Sequence, residues 1–169
     1  VLPDHIEFVT SLDTELWDVE VDRSAAESAV LNLIVNARDA MGEGGRLYVT
    51  TSNVEIKDAS TGAQIGELAQ GRYVAVKVAD TGQSISEESL SKIFEPFFTT
   101  KPAGVGSGLG LSMIQGFMRQ SGGTVEVKSV LNQGTEFTLY FSAGTGVAAK
   151  TEIASNPVAV ATTAGARIL

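Results

Sequence analysis

Three groups of residues in this chain have types and spacings that could do chemistry. Lys101-Pro-Ala-Gly-Val-Gly-Ser-Gly-Leu-Gly-Leu111 sets Gly104, Gly106, Gly108 and Gly110 at alternate positions before an apolar, helix-like run that reaches Met118. Glycines let backbone N–H groups turn toward one point and let a bulky anion come close. The start of the following helix adds unpaired donors and a partial positive charge, worth about 0.3–1 kcal/mol per anion contact. With a lysine at its mouth the segment reads as a phosphate cradle; the bland reading of the same glycines is a flexible linker. The second group is Asn32, Asn36 and Asp39, which fall on one line of a helix at i, i+4 and i+7. Asparagine competes with the backbone for hydrogen bonds inside helices, so two of them need a reason beyond propensity, unless the line is simply a solvated face. The third is Asp80-Thr-Gly82, a carboxylate closing an apolar strand at a glycine turn. Such a position suits a ligand-reading acid, and it also suits a plain turn.

The familiar phosphate loops do not fit. A Walker loop needs Gly-Lys-Ser/Thr, and no lysine here follows a glycine. A dinucleotide fingerprint would put its third glycine at Leu109, Leu111 or Met113, according to register. Composition narrows the classes further. Twelve basic against twenty acidic residues give a net charge of −8, which argues against nucleic acid or an anionic membrane as the main partner. Cysteine is absent from the 169 residues, so thiolate metal sites and disulfide frameworks are out, as suits a reducing, cytoplasmic setting. No apolar run approaches membrane-spanning length and no signal-peptide pattern opens the chain. Opening on Val1 suggests a piece of something longer. The hydrophobic content of 43% predicts one compact domain.

The elements that must position these groups emerge from periodicity. Ile6 to Thr10 and Trp17 to Val21 alternate as short strands, with His5, the sole histidine, at the edge of the first as a structural or solvated residue. Asp22 to Met41 is predicted as a long helix, opened by a Ser24-Ala-Ala-Glu27 capping box and stopped by Gly42. Its buried stripe is Ala26, Val30, Leu33, Ala37 and Ala40. Arg46 to Glu55 and Arg72 to Ala79 read as strong strands joined by a polar connection over Lys57 to Gln70. Ser86 to Phe94 suits a short helix, followed by the phenylalanine-rich Phe94-Glu-Pro-Phe-Phe-Thr-Thr-Lys101. That cluster is either core folding back or the apolar foot of a lid. Thr124 to Ser129 and Thr135 to Phe141 form a terminal hairpin, and from Ala143 the composition turns to that of a flexible linker.

In this order, Asn32-Leu-Ile-Val-Asn36-Ala-Arg-Asp-Ala-Met41, Asp80-Thr-Gly82, Phe94 to Lys101 and Gly104-Val-Gly-Ser-Gly-Leu-Gly110 resemble the N, G1, F and G2 boxes of one family. It is the catalytic ATP-binding domain of sensor histidine kinases, within the superfamily shared with type II topoisomerases, mismatch-repair proteins and a heat-shock chaperone. Gln133-Gly-Thr135-Glu-Phe resembles its last conserved segment, and the likeness covers roughly residues 6 to 142.

The resemblance implies an α+β fold, the two-layer α/β sandwich of Bergerat type, with a mixed, mostly antiparallel sheet covered by three helices. It implies residues 1–142 as the catalytic domain and 143–169 as linker, with Ala166-Arg-Ile-Leu169 similar to the opening of a response-regulator receiver strand, as in hybrid kinases. ATP and Mg2+ are the implied ligands. Asn36 would hold the metal ion, with Asn32 one turn before it at the phosphates. Asp80 would accept from the adenine amino group, Gly82 would let the base approach, and Thr135 would support Asp80. Lys101 and the Gly104, Gly106, Ser107, Gly108, Leu109 and Gly110 segment would hold the phosphates, with Phe94, Phe97 and Phe98 anchoring the lid. Amide oxygens suit a hard cation, and a carboxylate reads an exocyclic amine by accepting its hydrogen bond.

The implied activity is transfer of the γ-phosphoryl group to a histidine on a separate dimerisation domain, for onward passage to a response-regulator receiver. Hydrolytic relatives carry a glutamate where this chain has Asn32, and an amide cannot act as a general base. That disfavours a water-using ATPase of the same fold. A nucleotide-binding module with impaired catalysis and a pure interaction domain are the remaining rivals. His5-Ile-Glu lacks the helical setting of a phosphoacceptor, so this chain alone is expected to bind ATP without completing autophosphorylation. The G1 box departs from the family pattern at one position: it usually runs Asp-x-Gly-x-Gly, and here the last residue is Ser84. If that position requires positive φ, serine costs about 1–2 kcal/mol, or about tenfold in affinity.

Overall fold

The computed structural model of the protein describes residues 2–144 and Ala166–Arg167. In chain order the elements are β1 (Ile6–Leu12), β2 (Glu20–Val21), α1 (Arg23–Ala40), β3 (Gly45–Ile56), α2 (Ala59–Gln64), β4 (Gly71–Asp80), α3 (Glu87–Leu90), α4 (Gly110–Gln120), β5 (Thr124–Val130), β6 (Gly134–Ser142) and β7 (Ala166–Arg167). Five strands form one sheet in the order β1-β3-β4-β6-β5. β1 runs parallel to β3, and the other three pairings are antiparallel. This is the expected mixed α+β sandwich.

Alternation along β4 sorts the two faces. Val74, Val76 and Val78 join the main core with Leu33 and Ala37 of α1 and Ile114 and Met118 of α4. Leu90 of α3 packs on the same core, so three helices cover this face. Tyr73 and Ala75 point the other way, into a smaller cluster with Ile56, Leu68 and Tyr140. There α2 closes one end. Its six residues are too few to show a period, which is why Lys57 to Gln70 read as plain connection; the Asp58 carboxylate starts the turn by accepting from the Thr61 amide at 2.7 Å.

Three local expectations change. The cap of α1 is Asp22, which accepts from the Ala25 amide at 2.9 Å; Glu27 instead pairs with Arg23 at 2.8 Å. The buried stripe of α1 includes Ala29, while Val30 and Ala40 are half-buried. The strand expected over Trp17 to Val21 shrinks to its last two residues, because Trp17 is held by side chains: its amide donates to Asn53 Oδ1 at 2.9 Å, and the Arg72 guanidinium lies 5.0 Å above its ring. β2 pairs with β7, and Val19 bridges to Ala143. Most of the 143–169 linker, and Ile168-Leu169 of the receiver-like end, lie outside the described residues.

Candidate functional site

The polar line on α1 faces the glycine-rich segment. Asn32 is exposed and lies beside the first residue of α4: a Cβ on Gly110 would stand 3.9 Å from its amide carbon and nitrogen. Asn36, half-buried, is one turn further on. After it, Asp39 accepts from Lys101 Nζ at 2.6 Å and from Arg38 at 2.8 Å. Partial burial pushes the Asp39 carboxyl upward, but the hydrogen bonds from Lys101 and Arg38 outweigh it and hold the group below its ordinary range. Two asparagines, a carboxylate and a lysine thus lie along one helix face.

The glycines between Lys101 and α4 have geometric reasons. Gly104, Gly106 and Gly108 have φ of +86°, +96° and +69°, where side chains are strained. Gly108 also crosses the phenylalanine-rich segment at close range: the Phe97 amide donates to its carbonyl at 2.9 Å, and a Cβ would lie 2.5 Å from the Phe97 carbonyl carbon. Gly110 starts α4 after Leu109, which provides no side-chain cap, so the first amides of the helix are left for another acceptor. The Ser107 hydroxyl turns back to the Leu109 amide at 3.4 Å. Of the three expected lid anchors, Phe94 and Phe98 pack against the core. Phe97 does not: it is 73% exposed and adopts φ +67°, because its backbone rather than its ring makes the crossing with Gly108.

Asp80 ends β4 and is only 7% exposed. Burial raises its carboxyl to about 6, against the Gly82 and Thr135 backbone amides, which favour the charged form. The Gly82 amide donates to Oδ1 at 2.8 Å. Gly82 has its own constraint, since a Cβ would lie 2.5 Å from the Ala40 carbonyl at the end of α1. Its bareness therefore seats the Asp80 loop on α1. Thr135 is the cross-strand partner of Asp80, and its hydroxyl bonds to Ser129 Oγ at 2.9 Å rather than to the carboxylate.

Ser84 differs most clearly from its expected behaviour. It is not among the residues with positive φ, so the anticipated backbone strain does not arise. Its hydroxyl accepts from the Asn132 amide at 3.0 Å and donates to the Val130 carbonyl at 2.8 Å. Sequence reasoning also missed Gly134, where a Cβ would fall 1.8 Å from the Asp80 carbonyl, although it sits between Gln133 and Thr135 in a segment with a family resemblance. His5 is exposed and uses only its backbone carbonyl, toward Gly45.

The arrangement has two ends. From Asn32 to Ala40, about 12 Å of helix separates a cluster fit for a polyphosphate and its cation from a loop fit for reading a flat polar group. Among the described residues no group of three or more acidic, histidine or cysteine side chains could cage a metal ion. The Asn36 amide oxygen fits a hard cation that arrives already bound to phosphate and keeps several of its waters.

Comparison with known proteins is consistent with this geometry. The profile of the histidine kinase-, DNA gyrase B-, and HSP90-like ATPases matches residues 21–145. Sensor kinase CckA of Brucella abortus is 44% identical over 126 residues, which are 75% of this chain and 13% of that protein. The chain therefore spans a small part of this curated relative. The catalytic domain of histidine kinase ThkA superposes with a TM-score of 0.63 at 31% identity, covering 82% of this chain and 81% of that one. Full-length ShkA in complex with AMPPNP gives a TM-score of 0.62 at 28% identity over 82% of this chain and 26% of that one.

Proposed function

This chain belongs to the histidine kinase-, DNA gyrase B-, and HSP90-like ATPase family, as the ATP-binding catalytic domain of a sensor histidine kinase, and we propose that it binds Mg-ATP and presents the γ-phosphoryl group to a histidine on a separate dimerisation domain. The observation that carries this reading is that the α1 line of Asn32, Asn36 and Asp39 has the open start of α4 beside Asn32 and Lys101 paired with Asp39. The AMPPNP bound by the similar ShkA supports ATP as the ligand.

In this reading Asn36 holds the magnesium ion, which when bound neutralises phosphate charge. Asn32 orients the phosphates, and Lys101 leaves Asp39 to neutralise them. Gly104, Gly106, Ser107, Gly108, Leu109 and Gly110 wrap the triphosphate through their backbone and the α4 dipole. Asp80 accepts from the adenine amine, on a loop seated by Gly82 and backed by Thr135. Phosphoryl transfer of this kind depends on positioning and charge neutralisation more than on an acid or base. The amide at Asn32 supports transfer to a histidine over hydrolysis, since it cannot take a proton from water. A receiver domain is the onward acceptor, residues 1–142 are the catalytic unit, 143–169 form a linker after it, and the setting is cytoplasmic. No helix among the described residues is long and apolar enough to cross a membrane.

Calorimetric titration of Mg-ATP and ADP, with Asp80→Asn in parallel, tests the reading. Binding by the parent with at least about tenfold loss in the variant is expected, because the amide presents a donor to the amine. Equal binding by both would sink the role of Asp80. A supplied dimerisation domain that gains no phosphate from the ATP-bound parent would reduce the function to nucleotide binding.

A further inference from the structure

The geometry points to Ser84 as a positioning residue for the adenine-reading carboxylate: with Ser129 it ties the loop after Asp80 to the β5–β6 turn. This rests on the adenine role proposed for Asp80. The loop from Thr81 to Ile85 is held on three sides. The Thr81 amide donates to the Arg46 carbonyl at 3.2 Å, and the Gln83 amide donates to the Ala40 carbonyl at 2.9 Å. The third side belongs to two hydroxyls. Ser84 spends its one proton on the Val130 carbonyl at 2.8 Å and a lone pair on the Asn132 amide at 3.0 Å. Ser129 Oγ accepts from the Ile85 amide at 2.8 Å and contacts Thr135 Oγ1 at 2.9 Å.

The turn held in this way is itself demanding. Asn132 has φ +63°, and Gly134 at φ +100° lies against the Asp80 carbonyl. Ser84 thus fixes both the loop that carries the Gly82 amide and the turn that leads into Thr135, the two backbone groups that favour the charged Asp80. A glycine at 84 would remove both hydrogen bonds and free the backbone together. Serine here is a gain in preorganisation, and restoring the glycine usual in the family weakens the site.

The test uses the whole chain with Ser84→Gly, Ser84→Ala and Ser84→Thr, titrated with ADP and with inosine diphosphate, whose base lacks the amino group. In the glycine and alanine variants, ADP binding falls about three- to tenfold while inosine diphosphate changes little, so the preference between them shrinks. Threonine, which keeps the hydroxyl, restores it. Amide exchange without nucleotide is faster at Gly82 and Asn132 in the glycine and alanine variants. A glycine variant that binds ADP as tightly as the parent overturns the proposal. So does equal weakening of both nucleotides, or slow exchange at Gly82 and Asn132 in all variants. A parent with no preference for ADP overturns the Asp80 role as well. A parent preference that Asp80→Asn removes and Ser84→Gly leaves intact overturns only the role of Ser84.

Discussion

The two ends of the site are built on opposite plans. At the Asp80 end the carboxylate is buried, its loop is tied to α1, β3 and the β5–β6 turn, and neighbouring backbones leave no room for a side chain at Gly82 or Gly134. At the Lys101 end an exposed glycine segment is fastened by one ion pair to Asp39 and one backbone crossing at Phe97 and Gly108. Under the function proposed above, the Asp80 end recognises a nucleobase, whose single shape suits a fixed acceptor. In the same reading the Lys101 end encloses a triphosphate and lets it go again, for which weak fastening is the useful property.

The same substitution at both ends should expose this contrast. Gly134→Ala drives a Cβ into the Asp80 carbonyl and is expected to cost about 3 kcal/mol or more in chemical denaturation. Gly104→Ala meets nothing within 4 Å and should cost about 1 kcal/mol, from its positive φ alone. Equal losses would break the comparison.

Titration sharpens it. The Asp80 carboxyl is raised to about 6 in the fold, from 3.8, so the folded state favours the protonated form. Its contribution is full below about pH 4 and is lost as pH rises through about 6, a change of about 3 kcal/mol. Asp80→Asn should flatten that part of the stability curve and leave a protein more stable at neutral pH that no longer reads adenine. ADP affinity of the parent should rise over the same interval, as the ionised acceptor forms. A stability curve unchanged by the variant would show that Asp80 does not titrate there.

At the other end, Lys101→Ala is expected to weaken ATP about fivefold to tenfold by calorimetry, and ADP by less, with little change in stability. The smallest effect belongs to Asp39→Asn. A partly exposed pair is worth less than about 1 kcal/mol, and that difference should fade in high salt. A large, salt-independent loss would mean that Asp39 holds α1 rather than Lys101.

The sheet and the long helices were legible because their signals are long: Arg72 to Ala79 is a run rich in β-branched and apolar residues, and α1 spans five turns. The candidate site was legible where the proposed chemistry demands a residue type, as at Asn32, Asn36, Asp80 and Lys101. Contacts across long separations were not. Ser84 stands out as a departure from the family pattern, but its role was not legible, because its partners lie 46 and 48 residues away. The same holds for Gly134, whose constraint is the backbone of another strand. Phe97 misled because its apolar ring hides a role carried by its backbone. The capping box failed because Asp22 caps the helix two residues earlier.

The span of these ties also bears on synthesis. Asp39 meets Lys101 across 62 residues, and the loop after Asp80 leans on a turn made more than forty residues later. A nascent chain that has emerged only through α4 contains Asn32, Asn36, Asp80 and every glycine of the loop, yet lacks the turn and β6 that hold the loop after Asp80. High contact order delays the site until the last strands are delivered. Under the function proposed above, nucleotide binds the finished fold and not its precursors, so ATP favours completion by mass action.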